Sequence, residues 1–360
     1  MYEHITDAIK APSLVHLGEN LYVARFESLK IYSTLVAVER LLQKGVIDER
    51  STLVDSSSGL YAYALAMACH RFGLKCHIVA SKTVDRGLMV QLQILGATVD
   101  PVAPQATLKM DQSLRVARIR DLLQVHPHFH WMQQYHDDIH YAGYEPVAQM
   151  IRESLGLDRL SIVGSVGSGC STSGIIGALR AYDDSVELIG VQPFGSVTFG
   201  SEHVVDPDII IAGIGSSIPF LNVRHALYDD IHWVSFDHGL AGSVALLRRH
   251  AIFAGLSSGC TYLVAYHEAV RRPDRTVLFI APDTGHRYVD TVFAHHEEAK
   301  AIEALSPKVV SSVEELALPW SAMAWNRRLA PVPRRERVDM ALPRFPATAS
   351  TLSKSSEVTK

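Results

Sequence analysis

The sequence predicts an α/β protein built on parallel sheet with helices on both faces. Short apolar runs alternate with segments of helical period along most of the chain, the pattern of parallel strands joined by crossover helices. Gly/Ser-rich turns sit at strand-to-helix junctions, which is where open α/β sheets bind ligands. The length of 360 residues suggests roughly two domains, each large enough to bury a core.

The elements follow in order. The run LYVARFE (21–27) reads as a strand, and 31–46 reads as a helix because its apolar residues recur at spacings of three and four. STLVD (51–55) is a strand, 60–72 a helix, KCHIVA (75–80) a strand, 85–95 a helix and GATVDPV (96–102) a strand. The alternation resumes beyond residue 127 with FHWMQ as a strand, 139–155 as a helix, RLSIVGS (159–165) as a strand, 173–182 as a helix and VELIGVQ (186–192) as a strand. IHWVSF (231–236) is a strand, 239–253 and about 260–271 are helices, and TVLFIAP (276–282) is the last strand. Residues 326–360 hold four prolines, the basic cluster RRER (334–337) and a polar end without either period. This tail reads as a poorly ordered extension or an arm lying on a partner subunit.

Composition narrows the function. Lys and Arg number 34 against 38 Asp and Glu, so the formal charge is −4, and the basic excess of a nucleic-acid binder is absent. Apolar residues make up 48% and charged residues 20%, the profile of a folded globular chain. No apolar run approaches the roughly 20 residues that span a bilayer, and MYEHITDAIKAPS lacks the basic-then-apolar order of a signal peptide, so a cytoplasmic location is expected. Cys69, Cys76, Cys170 and Cys260 form no CxxC pair and read as reduced thiols. In HPHFH (126–130) only alternate histidines share a strand face and no carboxylate follows at ligand spacing, so no metal is expected.

Two loops suit a bound anion: Asp55-Ser56-Ser57-Ser58-Gly59 before the helix at 60, and Gly164 to Gly174 before the helix at 175. Helix N-termini present free N–H groups, glycine permits close approach, and Ser or Thr adds hydroxyl donors. Taken singly, either loop also reads as plain N-capping. Neither nucleotide spacing, GxxxxGK[ST] or GxGxxG, is present. Two such loops in one chain point to a ligand with two anionic groups.

With Ser28-Leu29-Lys30, Ser56–Gly59 followed by ALAMA (64–68), Gly167-Ser168-Gly169-Cys170-Ser171, Gly213-Ile214-Gly215, Gly255-Leu256-Ser257-Ser258-Gly259 and Pro282 to Tyr288, the order of motifs over residues 12–297 resembles the fold-type II pyridoxal-phosphate (PLP) enzymes, the cysteine synthase and cystathionine β-synthase group. Trp131, Gln134 and Tyr135, Gly195 to Gly200, the triple serine and IFAG (252–255) are similar to the siderophore-pathway subfamily that makes N-(2-amino-2-carboxyethyl)-L-glutamate, a precursor of 2,3-diaminopropionate.

The resemblance implies the tryptophan synthase β-like fold, with two three-layer α/β/α domains and a cleft between them. A smaller substrate-carboxylate domain would span 31–138, and a larger PLP domain would combine 1–30 with 139–325. Lys30 would carry PLP and act as the base; Gly167, Ser168, Gly169, Cys170 and Ser171 would hold its phosphate, with Gly215 beside them and Ser257 at the ring nitrogen. Ser57, Ser58, Gly59 and Gln134 would hold the substrate carboxylate.

There are two departures from the group. Glu27 runs directly into Ser28, with Ile31-Tyr32 after the lysine, and Leu60 stands where the group has Asn, leaving Tyr61 or a water to hold the ring oxygen. The implied reaction is β-replacement on an activated serine such as O-phospho-L-serine by an amine such as L-glutamate, in a homodimer acting on small amino acids, with neither nucleic acid nor membrane as partner. Cysteine or S-sulfocysteine synthesis, serine/threonine dehydration and a non-catalytic relative remain the alternatives.

Overall fold

The computed structural model describes residues 1–81, 85–103, 108–207 and 213–328. The chain from Met1 to Arg328 forms one compact unit.

Its strands are β1 (Ser13–Gly18), β2 (Leu21–Arg25), β3 (Thr52–Ser56), β4 (Lys75–Ser81), β5 (Thr98–Val102), β6 (Phe129–Trp131), β7 (Leu160–Ser165), β8 (Glu187–Gln192), β9 (Asp230–Val234), β10 (Thr276–Ala281), β11 (Lys308–Val309) and β12 (Trp320–Ala324). The helices are α1 (Ile5–Ala8), α2 (Lys30–Gln43), α3 (Leu60–Phe72), α4 (Arg86–Ile94), α5 (Leu108–Val125), α6 (Glu145–Leu155), α7 (Cys170–Arg180), α8 (Phe236–His250) and α9 (Leu256–Arg271).

Eight strands form one sheet in the order β1-β2-β10-β7-β8-β9-β12-β11, and four form a second in the order β5-β4-β3-β6. The second sheet is parallel throughout, and β2, β10, β7, β8 and β9 run parallel in the first. β1 and β12 are antiparallel to their neighbours β2 and β9. The expected α/β class with parallel sheet is therefore observed. β7, β8, β9 and β10 are buried along nearly their whole length, as parallel strands covered on both faces must be.

Local chemistry sets the element ends. Asp85 accepts from Leu88 N (2.9 Å) to start α4. Gly73, at φ +67°, ends α3 while its N–H and that of Leu74 return to the last carbonyls. The larger core packs Val23, Val163, Ile189, Val191, Val277 and Phe279 of the first sheet against Leu240, Val244 and Leu263 of α8 and α9. The smaller sets Val54 and Val79 against Ile119 and Leu122 of α5.

Several elements differ from the sequence reading. The helix expected at 139–155 begins at Glu145, after two short 3-10 turns at 138–140 and 142–144. Gly143 lies against α2 so closely that a Cβ would meet the Tyr32 carbonyl oxygen at 2.2 Å, and Pro146 marks the first turn of α6. α7 starts at Cys170 and α9 at Leu256, so half of each presumed loop is helical first turn. β1, α5, β11 and β12 are additional elements. Asn326 and Arg327 are tied by backbone bonds to Asp229 and Tyr228, and Arg327 also pairs with Asp229 and Asp184. Beyond them, the tail from 329, including RRER, lies outside the described residues. Among the described residues no helix is long and apolar enough to cross a membrane.

Candidate active site

Lys30 opens α2 directly after β2 and a short connection that is fastened to the end of β10. Phe26 N donates to Ala281 O (2.9 Å), Leu29 N donates to Pro282 O (2.9 Å), and Ser28 bridges Asp283. The lysine is half-buried, and its Nζ donates to Ser168 Oγ at 2.9 Å. Desolvation holds the ammonium below the usual lysine range, and the Cys170 thiol acts in the opposite sense. An amine so placed is neutral more readily than a surface lysine, which suits it to nucleophilic and basic work.

The loop carrying Ser168 is built on close backbone contacts. A Cβ on Gly167 would fall 2.1 Å from Gly213 O, and one on Gly169, at φ +83°, would fall 2.4 Å from Asn222 O. Gly215 N donates to Val166 O (2.9 Å), and the side chain of Gln192 also donates to that carbonyl. No side chain caps α7 at Gly169, so the N–H groups of its first turn, Cys170 and Ser171 among them, remain available to an anion. Cys170 is buried and raised by desolvation. Its Sγ donates to Gln134 O (3.2 Å) and accepts from Ser168 Oγ and Asn222 Nδ2. Its side chain is a packing and bridging thiol.

That bridge leads to the second loop. Asp55, fully buried at the end of β3, accepts from Ser56 N (2.7 Å), Trp131 Nε1 (3.0 Å) and Gln134 N (3.0 Å). Burial pushes its carboxyl up to about 6 against those donors. Gln134 Nε2 (2.8 Å) and Tyr135 OH (3.1 Å) then hold Ser56 O. Ser57 donates its N–H to Val79 O, and its Oγ accepts from Gly59 N and Ala62 N at the start of α3. Only its hydroxyl proton is left to offer a ligand. Ser58 Oγ accepts from Ser81 N (2.8 Å). Leu60 begins α3, and Tyr61 is buried with its hydroxyl beside the Asp55 carboxyl and near Cys170. Residues 57–61 and 134 thus stand at one end of the four-stranded sheet, linked through Cys170 to the loop that holds Lys30.

Ser257 lies in the first turn of α9. That turn meets the end of β10 at Asp283, the residue bridged to Ser28. Ser257 is buried, and the hydroxyls of its neighbour Ser258 and of Ser28 are buried without a hydrogen-bond partner among the described residues. The donor set fits PLP: an enclosed amine, an uncapped helix start with glycine-lined close contacts beside it, and a buried unpaired hydroxyl on the same strand ends. Asp55 and Asn222 are site residues without an individual role in the sequence reading, whereas Arg287 lies in the motif from Pro282 to Tyr288, which reads equally as a substrate contact or a structural turn. Asp55 was visible only as the residue before a serine run.

A family model described as "Pyridoxal-phosphate dependent enzyme" matches residues 3–283. An N-(2-amino-2-carboxyethyl)-L-glutamate synthase from Ralstonia nicotianae is 30% identical over 305 residues, 80% of this chain and 88% of that protein. One from Cupriavidus metallidurans is 31% identical over 266 residues, 71% of this chain and 76% of that protein. Among solved structures, an O-acetylserine-dependent cystathionine β-synthase from Helicobacter pylori matches with TM-score 0.73 at 23% identity, over 81% of this chain and 98% of that one. A cysteine synthase from Entamoeba histolytica matches with TM-score 0.73 at 19% identity, over 83% and 92%.

Proposed function

This chain belongs to the pyridoxal-phosphate-dependent enzyme family, and we propose that it catalyses β-replacement on an activated L-serine, O-phospho-L-serine in the first instance, by the amino group of L-glutamate. The product would be a precursor of 2,3-diaminopropionate, and the substrates are small amino acids. The observation that carries this reading is the Lys30 amine held 2.9 Å from Ser168 Oγ at the uncapped start of α7. The names of the two relatives that cover most of the chain support the choice of substrates.

PLP, when bound, supplies an electron-poor ring that stabilises negative charge at the substrate Cα. The residues do the rest. Lys30 holds the cofactor and then, released, takes the proton from Cα and returns it there once the nucleophile has joined Cβ. Gly167 to Ser171 hold the cofactor phosphate through backbone N–H groups, with Gly215 supporting Val166 beneath them. Ser257 would offer the ring nitrogen a neutral donor. Ser57, Ser58 and Gly59 receive the α-carboxylate, Gln134 fixes that loop from behind, and Tyr61 lines the wall between the two loops. Overall, the Cβ–O bond to phosphate breaks, a C–N bond forms at Cβ, and the proton that the glutamate amine loses leaves with the phosphate.

Reconstitution with PLP is expected to give a visible absorbance that borohydride fixes on Lys30, located by peptide mapping and absent in Lys30→Ala. O-Phospho-L-serine with L-glutamate should release phosphate and yield the coupled amino acid. Product only from O-acetylserine with sulfide, or only pyruvate and ammonia from serine, would replace this reaction with another. A chain that cannot be loaded with PLP would overturn the proposal.

A further inference from the structure

Arg287 is a cation in this site that the chemistry above leaves without a task. It sits in the 3-10 turn Gly285–Tyr288 that follows β10. The turn is pinned: Gly285 N donates to Phe253 O (3.2 Å), Ala254 bridges Thr284, and Tyr288 is buried against Gly255. The guanidinium therefore reaches across to the other sheet from a fixed base. Its Nη2 lies 3.4 Å from Ser58 O, and its Nη1 lies 3.6 Å from where a Cβ on Gly59 would stand. Its Nε is buried and donates to nothing, and among the described residues no carboxylate oxygen comes within salt-bridge distance of it. Asp283 lies nearby, buried, with one carboxyl oxygen also unpaired.

A half-buried guanidinium held beside an anion-binding loop, with a free donor and no carboxylate oxygen within salt-bridge distance, has a desolvation cost that an incoming anion would offset. Its planar fork matches a carboxylate or a phosphate. We propose that Arg287 selects a second anionic group in the substrates: the α-carboxylate of the serine substrate rests on the Ser57–Gly59 loop and the guanidinium takes the other acid. This inference rests on the reading of the site as a PLP amino-acid site. The shared chemistry is a dianionic amino acid, and the second anion comes either from the departing phosphate or from the side-chain carboxylate of the nucleophile.

The test measures binding by calorimetry on the PLP-loaded protein and needs no turnover. One arm compares L-2-amino-4-phosphonobutanoate, whose phosphonate cannot leave, with L-2-aminobutanoate. The other compares L-glutamate with L-glutamine. Wild type should favour the dianionic member of at least one pair, and the arm that shows the preference identifies the source. Arg287→Gln should lose about tenfold to a hundredfold affinity for that member, the scale of one charge-assisted hydrogen bond, and leave its neutral partner unchanged. Arg287→Lys should recover part of the loss with the PLP absorbance intact, and it serves as the informative variant if the glutamine protein does not fold. No preference in wild type, or an equal fall for both members of the pair, overturns the role of Arg287. The PLP reading fails separately, by absence of trapping on Lys30.

Discussion

Asp283 and Asp55 are the residues whose ionisation the fold disturbs most usefully. Burial raises Asp283 to about 7, while the Arg287 guanidinium acts the other way. Its folded value thus lies above the ordinary value of 3.8. Between those values the folded chain binds more protons than the unfolded one, so stability from this group is full below about pH 4 and falls as pH rises to about 7. Thermal melts across pH 4–8 should show that decline, and Asp283→Asn should flatten it; an unchanged slope would exclude Asp283 as its source. Asp55 serves geometry. Three N–H donors converge on its carboxylate, so Asp55→Asn sets an amide against one of them and should cost about 1–3 kcal/mol. Because those donors position the Ser57–Gly59 loop, the variant should also raise KM for the amino acid more than it lowers kcat. At this scale the sequence was informative about Lys30 and the two loops, since Ser and Gly runs are local signals. It was silent on Asp55 and Asn222, whose roles arise from distant segments meeting, and it located Arg287 only within the motif from Pro282 to Tyr288.

The helices show how an element positions a side chain. α8 and α9 meet backbone to backbone: a Cβ on Gly242 would fall 2.1 Å from Gly259 O, and one on Gly259 would fall 2.4 Å from Gly239 O. Gly242→Ala must separate the two helices, with an overpacking cost of about 1–3 kcal/mol. Since Ser257 rides on the first turn of α9, the same variant should lower PLP affinity, readable by equilibrium dialysis of the cofactor. A variant with lowered melting temperature but unchanged affinity would uncouple the helix contact from the site. Elements with long apolar runs, β7 and β10 among them, were legible from pattern alone. α5 was not, because Val116, Ile119 and Leu122 are buried among the charges of Arg118, Arg120 and Asp121. β12 escaped notice because WSAMA is short and buried without alternation. The start of α6 was misplaced because a helical period continues through turns that Gly143 packing holds short of α-helix.

At the scale of the molecule, the proposed cofactor site draws on both sheets: Lys30, Ser168 and Ser257 from the ends of the eight-stranded sheet, and Ser57 to Tyr61 from the four-stranded one. A ligand that binds only the folded arrangement stabilises all of it. PLP at a hundred times its dissociation constant should add about 2.7 kcal/mol and raise the melting temperature. Lys30→Ala should show a smaller rise, and scanning calorimetry with and without PLP measures both. The net charge of −4 is compatible with this use of small anions, since local N–H groups and a single guanidinium meet them without a basic surface. The two-sheet arrangement was foreshadowed by alternation, but the strand order was not, because pairing of β2 with β10 leaves no local trace.

That pairing governs how the protein can be made. The segment bearing Lys30 leaves the ribosome well before β10 and Pro282, to which it is fastened. At about 5–20 residues per second the lysine waits on the order of ten seconds or more for its neighbour, and closure of so long a loop is intrinsically slow. Capture of PLP at the proposed site would therefore report that β10 has been made. In refolding, cofactor absorbance should appear after most of the far-ultraviolet circular dichroism has returned, and nascent chains arrested before β10 should remain colourless.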